Sequence, residues 1–246
     1  MRSTFLILAA AALASALPKW REEQHPLHDG ALTSFGNSCA DEVIHELTLA
    51  EIIPTVISSF TPLLNISITW PHATASLGNT IKPKHLQTEP TVDLTPFSTT
   101  TSTVYSQVVL VLTDPDAKSR DNPIWAEFCH WIAYWPANSS SSSSSFSSTP
   151  QVSLDLETKQ AQDPKAKTDV LPYAPPSPPK KTWKHRYVFL ALTPLNGTTE
   201  RLNLTAPSGR QRWGNEEART GVRKWAGENG LGVVGGQFVY SKHKKQ

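Results

Sequence analysis

The chain has 246 residues, 23 Lys plus Arg against 21 Asp plus Glu, and a formal net charge of +2. So small and scattered a basic excess excludes an electrostatic nucleic-acid footprint, and the length allows one sizeable domain or two small ones. The 20 prolines, 12 glycines and single Met point to a loop-rich globular protein with many fixed turns and few long helices.

Arg2 precedes the apolar run Phe5 to Leu13 and the small-residue site Ala14-Ser15-Ala16, the pattern of a secretory signal peptide over residues 1–16. The run is too short for a stable span, and no later segment is a transmembrane candidate. A mitochondrial transit peptide would need several Arg and has one. The expected address is therefore secreted or extracellular, with the vacuole lumen as the alternative. Four sequons fit that address as glycosylation candidates, at Asn65, Asn138, Asn196 and Asn203. His25 and His28 lack a third ligand and no Cys/His cluster exists, so neither a metal nor a cofactor is expected. Cys39 and Cys129 are either a disulfide or two buried free thiols.

Along residues 17–246, read as a single domain, Ala40 to Phe60 predicts a short helix or strand and then a helical turn near Pro54. LLNISITW predicts a strand that turns Leu64, Ile66, Ile68 and Trp70 inward and Asn65 outward. Lys82 to Leu94 is proline-broken and reads as a loop running into an edge strand. Gln107 to Thr113 suits a strand buried on both faces, with further strands at Phe128 to Trp135 and His185 to Leu192. Between the last two, the serine run and polar stretch near 138–169 reads as a disordered insertion. NEEARTGVRKWAGENG predicts a helix with Ala218, Val222, Trp225 and Ala226 on one face, Glu216 and Glu217 in its first turn, and a stop at Asn229-Gly230. VVGGQFVY is the last strand, and the terminal KHKK reads as a solvated end. Strands with proline turns and a late helix argue for a mainly β, antiparallel β-sandwich.

Alternation predicts that His130 shares a face with Phe128, Ile132 and Tyr134, and that His185 and Tyr187 share one with Phe189. If those faces meet near Asp114, one carboxylate, two imidazoles and a phenol line a small pocket that suits a phosphorylated head group. Each residue has a bland reading too: a turn cap for Asp116, a core histidine for His130, a structural pairing for Arg186 on the opposite face. No G-x-S-x-G elbow is present, and Cys129 adjoins His130 only as a strand neighbour facing the other way, so no nucleophile is expected.

These residues carry a resemblance. TDPDAKSR with Pro123, Glu127 and His130-Trp131 resembles the D-P-D-A-P-S-R and E-W-x-H motifs of the phosphatidylethanolamine-binding protein (Raf kinase inhibitor protein) family. Tyr173 and PPKKTWKHRYVF are similar to that family's PPKGTGxHRYVF, while LQTEPTVDL and NGLGVVGGQFV are weaker matches. The resemblance implies a Greek-key β-sandwich with a few peripheral helices. It also implies a non-enzymatic pocket for phospholipid head groups such as phosphatidylethanolamine, or for other phosphorylated small molecules. Carried over by position, the ligand-binding residues are Asp114, His130, His185 and Tyr187, with Phe128 as an aromatic wall and Pro178 and Pro179 on one rim. Lys118 stands where the family has proline, Lys181 and Trp183 replace two glycines, and Cys129 replaces a histidine. The alternative function is a protease inhibitor similar to the family's inhibitors of carboxypeptidase Y, with a serine carboxypeptidase as partner.

Overall fold

Every position of Val108–Asp114 is buried, which demands cover on both faces of the sheet that contains it. The computed structural model describes residues 35–97, 107–137 and 167–245. The signal peptide, the serine run and Asn138 lie outside the described residues. In chain order the elements are α1 (Phe35–Leu49), β1 (Leu64–Trp70), β2 (Ala73–Thr74), β3 (Thr91–Pro96), β4 (Val108–Asp114), β5 (Phe128–Trp135), β6 (Thr168–Leu171), β7 (His185–Pro194), α2 (Gly221–Glu228) and β8 (Leu231–Ser241). Single 3-10 turns occur at Pro83–His85 and Arg212–Gly214.

All strand pairings are antiparallel. They build a small sheet in the order β2-β1-β3 and a large one in the order β6-β5-β4-β7-β8, the expected β-sandwich with few helices. Alternation then sorts the core into two layers. Leu110, Leu112, Phe189 and Ala191 of the large sheet meet Leu64, Ile66, Ile68 and Trp70 of the small one. Val109, Val111, Val188 and Leu190 meet α1 through Val43 and Leu47, and α2 through Val222 and Trp225. Fully burying a side chain such as Phe189 contributes about 2–3 kcal/mol.

The outer strand β8 is squeezed between the layers. A Cβ on Gly235 would lie 2.5 Å from the Leu64 carbonyl oxygen, and one on Gly236 would lie 2.7 Å from Leu47 Cδ1. The Gly-Gly pair is thus the point where β1 and α1 both approach one strand. Beyond it, the segment 78–81 runs along the free edge of β8, with Gly78 N–H donating to Phe238 O and Ile81 N–H to Tyr240 O.

Three expectations are corrected. The helix expected over 215–230 is α2 alone: Arg219 N–H donates to Ala126 O at 2.8 Å, which holds the preceding segment outside the helix and leaves Ala218, Glu216 and Glu217 exposed. Asn229 ends it as expected, its N–H donating to Trp225 O and Ala226 O. The polar stretch assigned to the insertion up to Asp169 ends earlier, because Thr168 and Asp169 already pair with Tyr134 and Ala133 in β6. The 40–60 segment is one 15-residue helix beginning at Phe35, followed by turns stitched by Val56 N–H to Ile52 O. Asn65 faces outward in β1 as the alternation requires; Asn196 and Asn203 are exposed as well.

Candidate functional site

The candidate residues converge at the end of the large sheet where β4 finishes and β5 and β7 begin. Antiparallel pairing forces this: the last residue of β4 must lie beside the first residues of its two neighbours. Nδ1 of His185 donates to Oδ2 of Asp114 at 2.8 Å. The His185 ring stacks on Tyr187, with centroids 6.3 Å apart, and Tyr187 meets the edge of His130 at 5.3 Å. Phe128 completes the row at 4.7 Å from His130. Asp114, His130, His185 and Tyr187 are all buried, while Phe128 is partly exposed.

A β-bulge sets the orientation of His130. Leu112 pairs with Trp131 and Thr113 with Cys129, so His130 is the extra residue. The simple alternation therefore fails here. Ile132 and Tyr134 fall on the helix side with Cys129, whereas His130 joins Phe128 and Tyr187 on the opposite face. Arg210 locks the bulge, its Nη1 donating to the carbonyls of Cys129 and His130 and its Nη2 to Pro172 O. Sequence reasoning does not find Arg210, because nothing in its surroundings marks a guanidinium that serves backbone carbonyls.

The segment 174–182 lies over the cluster. Nδ1 of His130 donates to Ala174 O at 2.7 Å, which leaves Nε2 without a partner among the described residues. The Ser177 N–H donates to the Tyr187 hydroxyl oxygen, leaving the phenol its own proton to give. Thr182 donates to Pro179 O at 2.8 Å and its oxygen lies 2.9 Å from Nε2 of His185, so both ring nitrogens of His185 are engaged by the protein. Pro178 is buried in this cover and Pro179 is exposed at its edge. Thr182, three residues before His185, was legible only as a nearby hydroxyl; Ala174 and Ser177 act through backbone groups that any residue supplies.

Burial pushes the His130 imidazole below its ordinary value, against the pull of the Asp114 carboxylate. His130 is thus neutral at neutral pH rather than a ready cation. Burial raises the Tyr187 phenol well above its usual range, and Asp114 adds to this, so it stays a hydroxyl donor.

Neighbouring residues serve the opposite face. Asp116 is fully buried and takes the Arg186 guanidinium side-on, with Nε at 2.9 Å and Nη2 at 2.6 Å. Arg186 also donates to the carbonyls of Ala50 and Glu51, tying the end of α1 to this turn. Glu127 accepts from Thr113 Oγ1 and Val222 N–H through Oε2, while Oε1 has no partner among the described residues. Burial pushes its carboxyl up to about 7. Cys39 is exposed and Cys129 buried, both as free thiols, so the pair is neither the disulfide nor the two buried thiols expected. Desolvation raises the Cys129 thiol far above its ordinary value. No cluster of metal-ligating side chains occurs among the described residues, nor any helix long and apolar enough to cross a membrane.

Two antiparallel sheets with buried Asp, His and Tyr side chains gathered at one end define the class: a β-sandwich with a polar cluster under a proline-rich cover. A family model for phosphatidylethanolamine-binding proteins matches residues 71–239, and the chain belongs to that family. It is 32% identical over 136 residues to the carboxypeptidase Y inhibitor of Saccharomyces cerevisiae, a match spanning 55% of this chain and 59% of that relative's length. The crystal structure of carboxypeptidase Y inhibitor complexed with the cognate proteinase superposes with a TM-score of 0.64 at 24% identity, covering 83% of this chain and 97% of that one. A phosphatidylethanolamine-binding protein from Plasmodium vivax gives a TM-score of 0.57 at 18% identity over 82% of this chain and 98% of that one.

Proposed function

We propose that this protein is a non-enzymatic inhibitor of a serine carboxypeptidase. The similarity to the yeast carboxypeptidase Y inhibitor carries this reading, and it shifts the weight from head-group binding, ranked first on the motifs, to the protease-inhibitor alternative. The signal-peptide reading of residues 1–16 is compatible with it, since a secretory route leads to vacuolar and extracellular peptidases alike. An inhibitory rather than hydrolytic role also suits the chemistry. The Cys129 thiol and the His130 ring lie on opposite faces of β5, and a thiol held far above its usual range is no nucleophile. The test is hydrolysis of a C-terminal peptide bond by carboxypeptidase Y with the purified protein added. Stoichiometric inhibition is expected; full activity in the presence of a molar excess would overturn the reading.

A second reading stands on the polar cluster, which we propose as a pocket for phosphorylated head groups. His130 Nε2 and the Tyr187 hydroxyl are the groups there that the protein leaves available. Asp114 and His185 brace each other and form the wall. The two readings are compatible, because the cluster sits under a cover that one face of the molecule presents.

A further inference from the structure

Glu127 belongs to the motif that carries the family resemblance, yet neither reading above uses it. Among the described residues only two buried side-chain polar atoms lack a partner, Asp93 Oδ1 and Glu127 Oε1. A buried oxygen of that kind costs free energy unless something meets it. Glu127 also lines a cavity of about 270 Å³ on the face of the large sheet opposite the polar cluster. Thr55 of the turns after α1, Pro115 and Arg120 of the acidic turn after β4, Arg186 and Arg219 complete its walls. That volume far exceeds the ~30 Å³ share of one water and falls just short of the ~300 Å³ at which drug-sized pockets begin. It suits a small organic ion.

Most of the charge around the cavity is already engaged. Arg186 gives Nε and Nη2 to Asp116 and Nη1 to the carbonyls of Ala50 and Glu51. Arg120 pairs with Glu51 at 3.0 Å on the exposed rim, and the Thr55 hydroxyl donates to Glu51 O. Arg219 differs. Its backbone N–H is fixed to Ala126 O at 2.8 Å, but its guanidinium makes no hydrogen bond or ion pair among the described residues. Glu127 Oε2 accepts from both Thr113 Oγ1 and Val222 N–H, so a proton on this carboxyl belongs on Oε1 and makes it a donor. Burial pushes the carboxyl up to about 7, against the Val222 and Thr113 hydrogen bonds and the charges of Arg223 and Arg186. One unengaged carboxyl and one unengaged guanidinium therefore border the same space. A carboxylate suits both, taking a charge-assisted O–H···O⁻ bond from the first and a two-pronged N–H pair from the second. An ammonium ion would find Asp121 at the rim but would face three guanidinium groups.

We propose that this cavity binds a small carboxylate, held between the Glu127 carboxyl and the Arg219 guanidinium. A free organic acid and the C-terminal end of a peptide present the same group. The ligand is bound by the protonated form of Glu127, so its affinity is level below pH 7 and falls about tenfold per pH unit above it. The site is separate from the polar cluster, and it requires neither head-group capture there nor protease inhibition.

Titration of acetate into the full chain at constant ionic strength, followed by the amide resonances of Arg219 and Val222, tests it. Saturable shifts are expected at pH 6, with affinity about tenfold weaker at pH 8, and none are expected with methylammonium. Arg219→Asn removes the guanidinium while suiting the left-handed backbone there, φ 65, and should bind about tenfold more weakly or worse. Glu127→Gln keeps a donor in the cavity, so it should bind acetate with the pH dependence lost, a change that a merely structural role would not produce. An acetylated tripeptide with a free C-terminus is compared with its amide. Tighter binding of the free tripeptide than of acetate assigns the site to chain ends, and the reverse assigns it to free acids. No saturable shift with any carboxylate, equal binding of the amide, or undiminished binding by Arg219→Asn overturns the proposal. So do tighter binding of methylammonium and shifts confined to the His130 and His185 imidazoles. Thermal melting of Arg219→Asn, altered only on the surface, confirms that its fold is intact, and that variant decides the matter if Glu127→Gln does not fold. Inhibition of carboxypeptidase Y and phosphate-induced shifts of His130 report separately on the two readings given above.

Discussion

The guanidinium of Arg186 lies along the carboxylate of Asp116 with two parallel hydrogen bonds, while the adjacent His185 turns the other way to Asp114. One acidic turn is thus gripped by two consecutive residues of β7, from opposite faces of the sheet. Asp114 belongs to the candidate pocket, and Asp116 belongs to the framework.

That division predicts different outcomes for similar substitutions. Asp116→Ala leaves a buried guanidinium uncompensated and should cost about 3–5 kcal/mol, read as a lower denaturant midpoint. Asp114→Asn keeps the shape and an acceptor for His185, and should change stability by about 1–2 kcal/mol. Equal destabilisation by the two would show that Asp114 is framework too.

The head-group pocket predicts a pH dependence with a definite sign. His130 titrates below the ordinary histidine value of 6.5 because of burial, so acidification below 6.5 first protonates this residue in the unfolded chain only. His130 therefore lowers stability as pH falls through that window, and bound phosphate, by favouring the charged ring, offsets the loss. Titration of inorganic phosphate followed by the imidazole resonances should show tighter binding at pH 5 than at pH 7.5, with the gain lost in His130→Gln. Phosphate affinity that is flat in pH would count against His130 as a contact.

Glu127 works in the reverse direction. Burial pushes its carboxyl up to about 7 from an ordinary value of 4.5, so the protonated form is favoured in the fold. The associated stability is fully present below pH 4.5 and is lost as pH rises through about 7, with a span of about 3 kcal/mol. Glu127→Gln removes the titration. Urea unfolding of both proteins between pH 4 and 8 should show wild type losing stability relative to the variant as pH rises.

Lys181 occupies a left-handed position at φ 63, where the family motif has glycine. A non-glycine residue there costs about 1–2 kcal/mol, partly offset by the greater freedom glycine has when unfolded. Lys181→Gly should therefore raise stability by about 0.5–1 kcal/mol, measured by thermal or denaturant melting. A fall in stability would mean that the lysine side chain contributes packing of its own.

Gly235→Ala should be among the most damaging single-methyl additions. The new Cβ would meet the Leu64 carbonyl oxygen at 2.5 Å, and a backbone atom in a paired strand cannot step aside as a side-chain tip can. A loss of about 2–3 kcal/mol is expected. Gly227→Ala, where a Cβ meets nothing within 4 Å, is the control and should be neutral or slightly stabilising.

Much of this was legible in the residue order. The strands containing Asp114, Phe128 and His185 were placed within a few residues, because apolar runs bounded by turns report burial directly. The face of His130 is only half legible: alternation groups it correctly with Phe128 but wrongly with Ile132 and Tyr134, and the bulge that separates them is held by Arg210, 80 residues further along the chain. The late helix was overextended, since the contact that excludes Ala218 from it comes from Ala126.

Local periodicity and two ordered motifs therefore determined the β-sandwich, its strands and four polar residues of the candidate site. Those signals depend on neighbours a few positions apart, which composition and spacing record. Only the tertiary structure decided which ring nitrogen of His130 the backbone consumes, and that Asp116 and Glu127 serve the face opposite Asp114. Those outcomes depend on contacts between segments up to 95 residues apart, and a contact of that reach leaves no periodic trace in the chain.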